Sequence, residues 1–267
     1  MDEGRLRALG REHRPEDVAA AVRHARAAGF ANLSLDLIFG LHGQDRAALE
    51  ADADALLALA PEHLSAYQLT VEERTPLGAR QRAGQPQTAP PDEQADLYAA
   101  LLARTAAAGL EHYEVSSHAR PGFAAVHNTL YWSGGEWLGL GPAAHSFRYT
   151  PAGGERTANP RNIDAYLAAH LGPAAGRPAL VAGAAPTREL LDAGALGREA
   201  MWLGLRQLRA GVSRRAFAAR FGEDPVARFA AVLGPLEQAG AVEVDAERVR
   251  LTARGALLAD EVGLRFL

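Results

Sequence analysis

Apolar residues along the first 120 positions alternate between two rhythms. Pro15-Glu16-Asp17 opens a helix on which Val18, Val22 and Ala25 recur at helical spacing. Pro suits the first helical position, the acids suit the positive end of the dipole, and Gly29 is the stop. Asn32 to Phe39 switches to a period of two, with Leu33, Leu35 and Leu37 on one face, and Gly40 ends that strand. Arg46 to Leu59 reads as a second helix, stopped by Pro61, and His63 to Val71 as a second strand. The latter is apolar on both faces and so internal to its sheet. Asp92 to Ala108 is a third helix, ended by Gly109, and Tyr113 to Ser116 a short third strand. This alternation predicts a parallel sheet with crossover helices, an α/β fold.

From Pro121 to Asn159 the rhythm stops. Phe123, Tyr131, Trp132, Trp137, Phe147 and Tyr149 gather among glycines in a segment without a period. Pro173 to Pro186, rich in Ala, Gly and Pro, reads as a linker. Beyond it lie a helix over Leu196 to Leu208, a second capped by Ser213 and carrying Phe217 and Phe221, and a third over Val226 to Gln238. Val242 to Val244 and Val249 to Leu251 form a hairpin, and Thr252 starts a last helix. Three helices and a hairpin make a winged-helix pattern. The expected division is 1–150, a linker over 151–195, and a winged-helix-like domain over 196–267.

Composition removes several chemistries. The 267 residues include no Cys, which excludes disulfides, thiolate nucleophiles, Cys-ligated zinc and Cys-ligated iron–sulfur clusters within this chain. All 28 basic residues are Arg, and Ile occurs only at Ile38 and Ile163, so single Ala and Arg residues carry little signal. A net charge of -4 argues against general nucleic-acid binding. No apolar stretch is long enough to span a bilayer and the first residues have no signal-peptide core, so a cytoplasmic protein is expected.

A few residues stand out chemically. Asp36 places a carboxylate inside an apolar strand, on the face opposite Leu35 and Leu37; it meets a ligand, pairs with a neighbouring Arg or lies at a strand end. Gly40-Leu-His-Gly-Gln44 is a turn that can approach a ligand or simply connect strand to helix. The spacing of His112, His118, His127 and His145 matches no usual zinc pattern. His127 lies near Tyr131 and Trp132, where a neutral imidazole among aromatic rings suits haem iron; the alternative is a structural role. Arg11 can fork onto a carboxylate or lie solvated at the surface.

In order, the strings Leu9-Gly-Arg-Glu-His13, Leu33-Ser-Leu-Asp-Leu-Ile-Phe-Gly-Leu41, His63-Leu-Ser-Ala-Tyr-Gln-Leu-Thr70, Tyr113-Glu-Val-Ser116, His127-Asn-Thr-Leu-Tyr-Trp132 and Leu138-Gly-Leu-Gly-Pro142 with Ala144-His-Ser146 resemble the HemW-type haem chaperones. These are relatives of the oxygen-independent coproporphyrinogen III oxidases in the radical S-adenosylmethionine superfamily. The resemblance implies the C-terminal part of a partial (β/α) barrel, TIM-barrel-like, with S-adenosylmethionine in its lumen. Arg11 matches the family's contact to the methionine carboxylate and Asp36 the carboxylate on the ribose. Thr70 falls at a strand end that lends backbone to the cofactor, and His127 matches the proposed haem-binding His. The implied role is to take haem and pass it to haemoproteins at the membrane. The alternatives are a radical oxidase of porphyrin biosynthesis and, at a distance, a winged-helix DNA-binding regulator. The latter's recognition helix, Val226 to Gln238, is too apolar for phosphate contacts.

The departures shape further expectations. The Cys-x3-Cys-x2-Cys motif that holds the family's 4Fe-4S cluster is not in this chain, so no radical chemistry is expected from the chain alone. His42 stands for the family's Pro, Ala143 for its Gly, and Glu73-Arg74 for its Pro-Gly pair. Few barrel strands remain, which predicts a truncated product with an open sheet edge, poor solubility alone and a tendency to self-associate.

Overall fold

Asp45 shows how local sequence sets the first elements: its carboxylate accepts from the Ala48 N–H at 2.8 Å and starts a helix. The computed structural model describes residues 2–171 and 185–267. They form two compact units, one ending at Ala125 and the other starting at Val126.

The first unit runs α1 (Glu3–Ala8), α2 (Pro15–Ala27), β1 (Ser34–Phe39), α3 (Arg46–Leu57), β2 (His63–Gln68), α4 (Pro76–Arg82), α5 (Pro91–Ala107), β3 (Glu111–Glu114) and β4 (Ser117–Ala119). The strand and helix alternation follows the sequence reading, with α1 added ahead of it and α4 added between β2 and α5. Sheet order is β1-β2-β4-β3. β1 and β2 are parallel, with Ser34 opposite His63 and Asp36 opposite Ser65. The Tyr113 region is not the next parallel neighbour. After a turn, β4 inserts antiparallel between β2 and β3, so the sheet is mixed.

One face of this sheet holds the core. Leu37 and Phe39 of β1, Leu64 and Ala66 of β2, Leu49, Ala53 and Leu56 of α3, and Leu97 and Leu101 of α5 pack together. Each fully buried leucine among them contributes roughly 1.5–3 kcal/mol. The stripe Leu49, Ala53, Leu56 is the helical period that faces α3 inward. The opposite face carries Asp36 and His63, and Gly40, at φ +78°, turns the chain away just past β1.

The second unit contains α6 (Val126–Trp132), β5 (His145–Thr150), β6 (Gly153–Ala158), α7 (Ile163–Leu171), β7 (Thr187–Leu191), α8 (Ala193–Leu205), β8 (Val212–Ser213), α9 (Arg214–Phe221), α10 (Pro225–Arg228), α11 (Ala230–Gln238), β9 (Val242–Val244), β10 (Arg248–Leu251), α12 (Ala253–Leu257) and α13 (Ala259–Leu264). The aromatic segment that shows no period in sequence is ordered after all: it supplies α6 and the strands β5 and β6, which β7 joins in an antiparallel sheet. Gly139 is required there, because a Cβ would run into the His145 backbone. Within 151–195, residues Gly153–Ala158 and Thr187–Leu191 are therefore strands of this sheet. The Pro173 to Pro186 stretch lies, through residue 184, outside the described residues.

The tail has the winged-helix arrangement read from sequence. A sheet β8-β10-β9 accompanies α8, α9 and α11, with Ser213 and Thr252 capping α9 and α12. The single helix read over Val226 to Gln238 is instead α10 and α11, divided at Phe229, and Pro235 sits inside α11. Among the described residues, no helix is long and apolar enough to cross a membrane.

Candidate functional site

Two places draw together the residues that sequence singles out, one in each unit. In the first unit a cavity of about 310 Å³ is lined by Arg5, Arg11, His13, Asp36, Gln44 and Asp52, with Leu9 and Leu41 among its apolar walls. Arg11 stands in the loop between α1 and α2, where its backbone N–H donates to the Leu6 carbonyl at 2.9 Å. Its guanidinium has no partner among the described residues.

Asp36 differs from the sequence expectation of a buried carboxylate. β1 is an edge strand, and on its outer face Asp36 is exposed. Its carboxylate makes no ion pair or hydrogen bond among the described residues. Pairing with a neighbouring Arg is thus not its role here. Arg11 and Asp36 line the same cavity, which presents a free cation and a free anion to whatever enters.

Gln44 closes the Gly40 turn. It is 3% exposed, its Oε1 accepts from the Gly40 N–H at 2.8 Å, and its Nε2 is buried with no partner. The turn spends its first amide on Gln44, but Gln44 then leaves a buried donor at the cavity. Buried donors in folded proteins nearly always find acceptors, so this one is available to an acceptor that enters the cavity. Arg5 and Asp52 form an ion pair across the cavity lining at 3.0 Å. Thr70 lies two residues beyond β2, exposed, and does not line the cavity.

Next to Asp36, on the same sheet face, His63 is buried. Its Nδ1 is 2.8 Å from Ser34 Oγ and its Nε2 2.8 Å from the Tyr113 hydroxyl. Burial lowers its pKa, opposed by the charges of Asp36 and Glu114. Across the sheet His118 is fully buried, stacked on His112 with ring centroids 4.6 Å apart and bonded through Nδ1 to Thr105 Oγ at 3.1 Å. Burial, reinforced by the neighbouring His112, pushes its pKa down to about 3. Burial favours the neutral form of each of these imidazoles, and their ring nitrogens bond to neighbouring side chains and backbone within the first unit.

In the second unit, His127 sits exposed on α6. Its Nε2 shares a hydrogen bond with the Tyr131 hydroxyl at 2.9 Å. The rings continue edge to face from His127 to Tyr131 and from Tyr131 to Trp137, with centroids 4.7 and 4.8 Å apart. Trp137 is tied to Phe147 by a pair of backbone hydrogen bonds of 2.9 and 3.0 Å. Val126 on the same helix is 84% exposed. Among the described residues, no group of three or more His, Asp or Glu side chains could hold a metal ion. His127 is thus a single imidazole beside apolar and aromatic surface.

Sequence reasoning passed over Arg5 and Asp52, and took Gln44 only as the end of a turn and Tyr131 only as an aromatic neighbour of His127. Asp52 carries a visible signal, because it takes the i+3 place in the Leu49, Ala53, Leu56 stripe. Tyr131 is at i+4 from His127, the spacing at which helical side chains meet.

Comparison with known proteins places this geometry. The model for the HemN C-terminal domain matches residues 191–258. "Heme chaperone HemW" of Bacillus subtilis (strain 168) is 35% identical over 262 residues, which are 98% of this chain and 66% of that protein. "Heme chaperone HemW" of Mycobacterium tuberculosis (strain H37Rv) is 38% identical over 257 residues, or 96% of this chain and 60% of that protein. The chain thus spans just under two thirds of the length of the curated relatives it matches. The solved coproporphyrinogen III oxidase HemN from Escherichia coli, a radical SAM enzyme, superposes with a TM-score of 0.74 at 20% identity, covering 100% of this chain and 62% of that one. That likeness establishes the fold: the α/β architecture is the C-terminal part of the one HemN has, with the winged-helix-like tail included. The ordered motifs and the sequence identities agree that this chain belongs to the HemW-type family.

Proposed function

We propose that this protein handles haem as a chaperone, binding it through His127 and passing it to haemoproteins, membrane haemoproteins among them, from the cytoplasm. The observation that carries this reading is the exposed His127 imidazole on α6, flanked by exposed Val126 and the ring series of Tyr131 and Trp137. A flat apolar macrocycle needs one nitrogen ligand and an apolar surface, and both are on this helix. Hemin titration tests it: His127→Ala should weaken binding at least about ten-fold, the scale of one lost ligand bond. An unchanged titration would overturn the assignment.

The first-unit cavity supports a second part of the reading, S-adenosylmethionine binding. Its donor set fits that ligand: Arg11 for the methionine carboxylate, Asp36 for the ribose hydroxyls, and the unpartnered Gln44 Nε2 for a further acceptor. When reductively cleaved, this cofactor supplies a carbon radical. That cleavage requires a cluster held by thiolates, and this chain carries no Cys to hold one. Thr70, outside the cavity lining, is proposed only as a backbone contact at the strand end.

The DNA-binding alternative gains no support from the tail. Arg214 is held by Asp224 at 2.6 Å, and Arg220 donates to the Tyr149 hydroxyl at 2.8 Å. These guanidiniums serve packing, where a phosphate-binding face would present them free. The open edge of β1 leaves backbone groups available for pairing with a second chain.

A further inference from the structure

We propose that Tyr131 gates the nitrogen of His127 that takes the iron. This rests on the haem reading above and adds the atom at which capture and release are controlled. A histidine offers two ring nitrogens that differ in access. Nδ1 lies next to Cβ and the helix backbone, so a flat macrocycle carrying iron cannot approach it closely. Nε2 is the tip of the ring and the atom an iron at the centre of a macrocycle can reach. In this structure Nε2 is the nitrogen already engaged, at 2.9 Å from the Tyr131 hydroxyl.

A neutral imidazole has a single lone pair, and it cannot accept the phenol proton and coordinate iron together. Iron must therefore displace Tyr131. The phenol does not leave freely. Its ring stands edge to face against His127 at 4.7 Å and against Trp137 at 4.8 Å. Trp137 is itself fixed, its indole N–H donating to the His145 carbonyl at 3.1 Å. Tyr131 thus has a defined position to which it returns. When it returns, it competes for Nε2 and helps the iron go, which suits a protein that must release its cargo as well as hold it.

The test is hemin titration of the full 267-residue chain with Tyr131→Phe and His127→Ala beside the unsubstituted protein, followed by haem loss to excess apomyoglobin. Removing one competing hydrogen bond should tighten hemin binding by Tyr131→Phe about five-fold and slow haem loss by a similar factor. Phe keeps the ring contacts with Trp137, and the thermal midpoint of each variant checks that it is folded. Unchanged or weaker binding by Tyr131→Phe overturns the gate. Weaker binding would mean that the phenol accepts from Nε2–H and supports ligation through Nδ1. If His127→Ala binds hemin as well as the unsubstituted chain, the haem reading itself fails, whatever Tyr131→Phe does.

Discussion

Arg5 on α1 reaches Asp52 on α3 at 3.0 Å, across 47 positions of sequence, and the carboxylate is nearly buried, with 10% of its side chain exposed. This pair closes one side of the first-unit cavity and ties the N-terminal helix to the core stripe of α3. Asp52 stands among Leu49, Ala53 and Leu56, where a carboxylate would otherwise be costly. Arg5→Leu should therefore lower stability by about 1–2 kcal/mol, the range for losing a charge-assisted hydrogen bond that is not fully desolvated. Urea unfolding measures this. A midpoint within error of the parent would show that α1 does not depend on the pair.

The free guanidinium of Arg11 and the free carboxylate of Asp36 carry a binding prediction. Both line one cavity and neither has a protein partner among the described residues. Isothermal titration with S-adenosylmethionine should show affinity falling about ten-fold for Asp36→Asn, because the ribose hydroxyls then lose an ionised acceptor. Arg11→Met should lose a similar factor for S-adenosylmethionine and little for adenosine, which has no carboxylate. Equal losses for both ligands in Arg11→Met would remove Arg11 from the carboxylate and leave it a structural residue.

How much of this is legible in sequence depends on what sets each element. The strands β1 and β2 and their crossover helix α3 follow from apolar period and from stops at Gly40 and Pro61, all local signals. β4 escapes notice because Ser117-His118-Ala119 has no strand period, and only pairing with Leu64 and His112 makes it one. The β5–β6 hairpin is hidden for a different reason. Its second strand opens on Gly153-Gly154 and carries Glu155 and Arg156, and among the described residues Glu155 pairs with Arg148 and with Arg188 of β7. His127, Asp36 and Arg11 are found by residue type within motifs. Arg5 is not, since in a chain whose basic residues are all Arg nothing local sets it apart.

The buried imidazoles give the first unit a direction of pH response. Burial, with His112 alongside, holds His118 at a pKa of about 3 in the folded state, against about 6.5 for an unfolded histidine. Between these values the unfolded chain binds a proton that the folded chain refuses, so stability must fall as pH drops through 6.5 toward 3. The loss between pH 7.5 and pH 5 from this one group is about 2 kcal/mol. His63 and His112, also lowered by burial, act with the same sign. His118→Gln keeps a partner for Thr105 and removes one proton-binding site, so its stability should decline by about 2 kcal/mol less than the parent over that interval. Urea unfolding of both proteins at pH 7.5 and pH 5 measures the difference of differences. Parallel declines in the two proteins would mean that His118 takes up its proton in the folded chain as readily as in the unfolded one, and the stacked pair with His112 would then not be the neutral core element its burial requires.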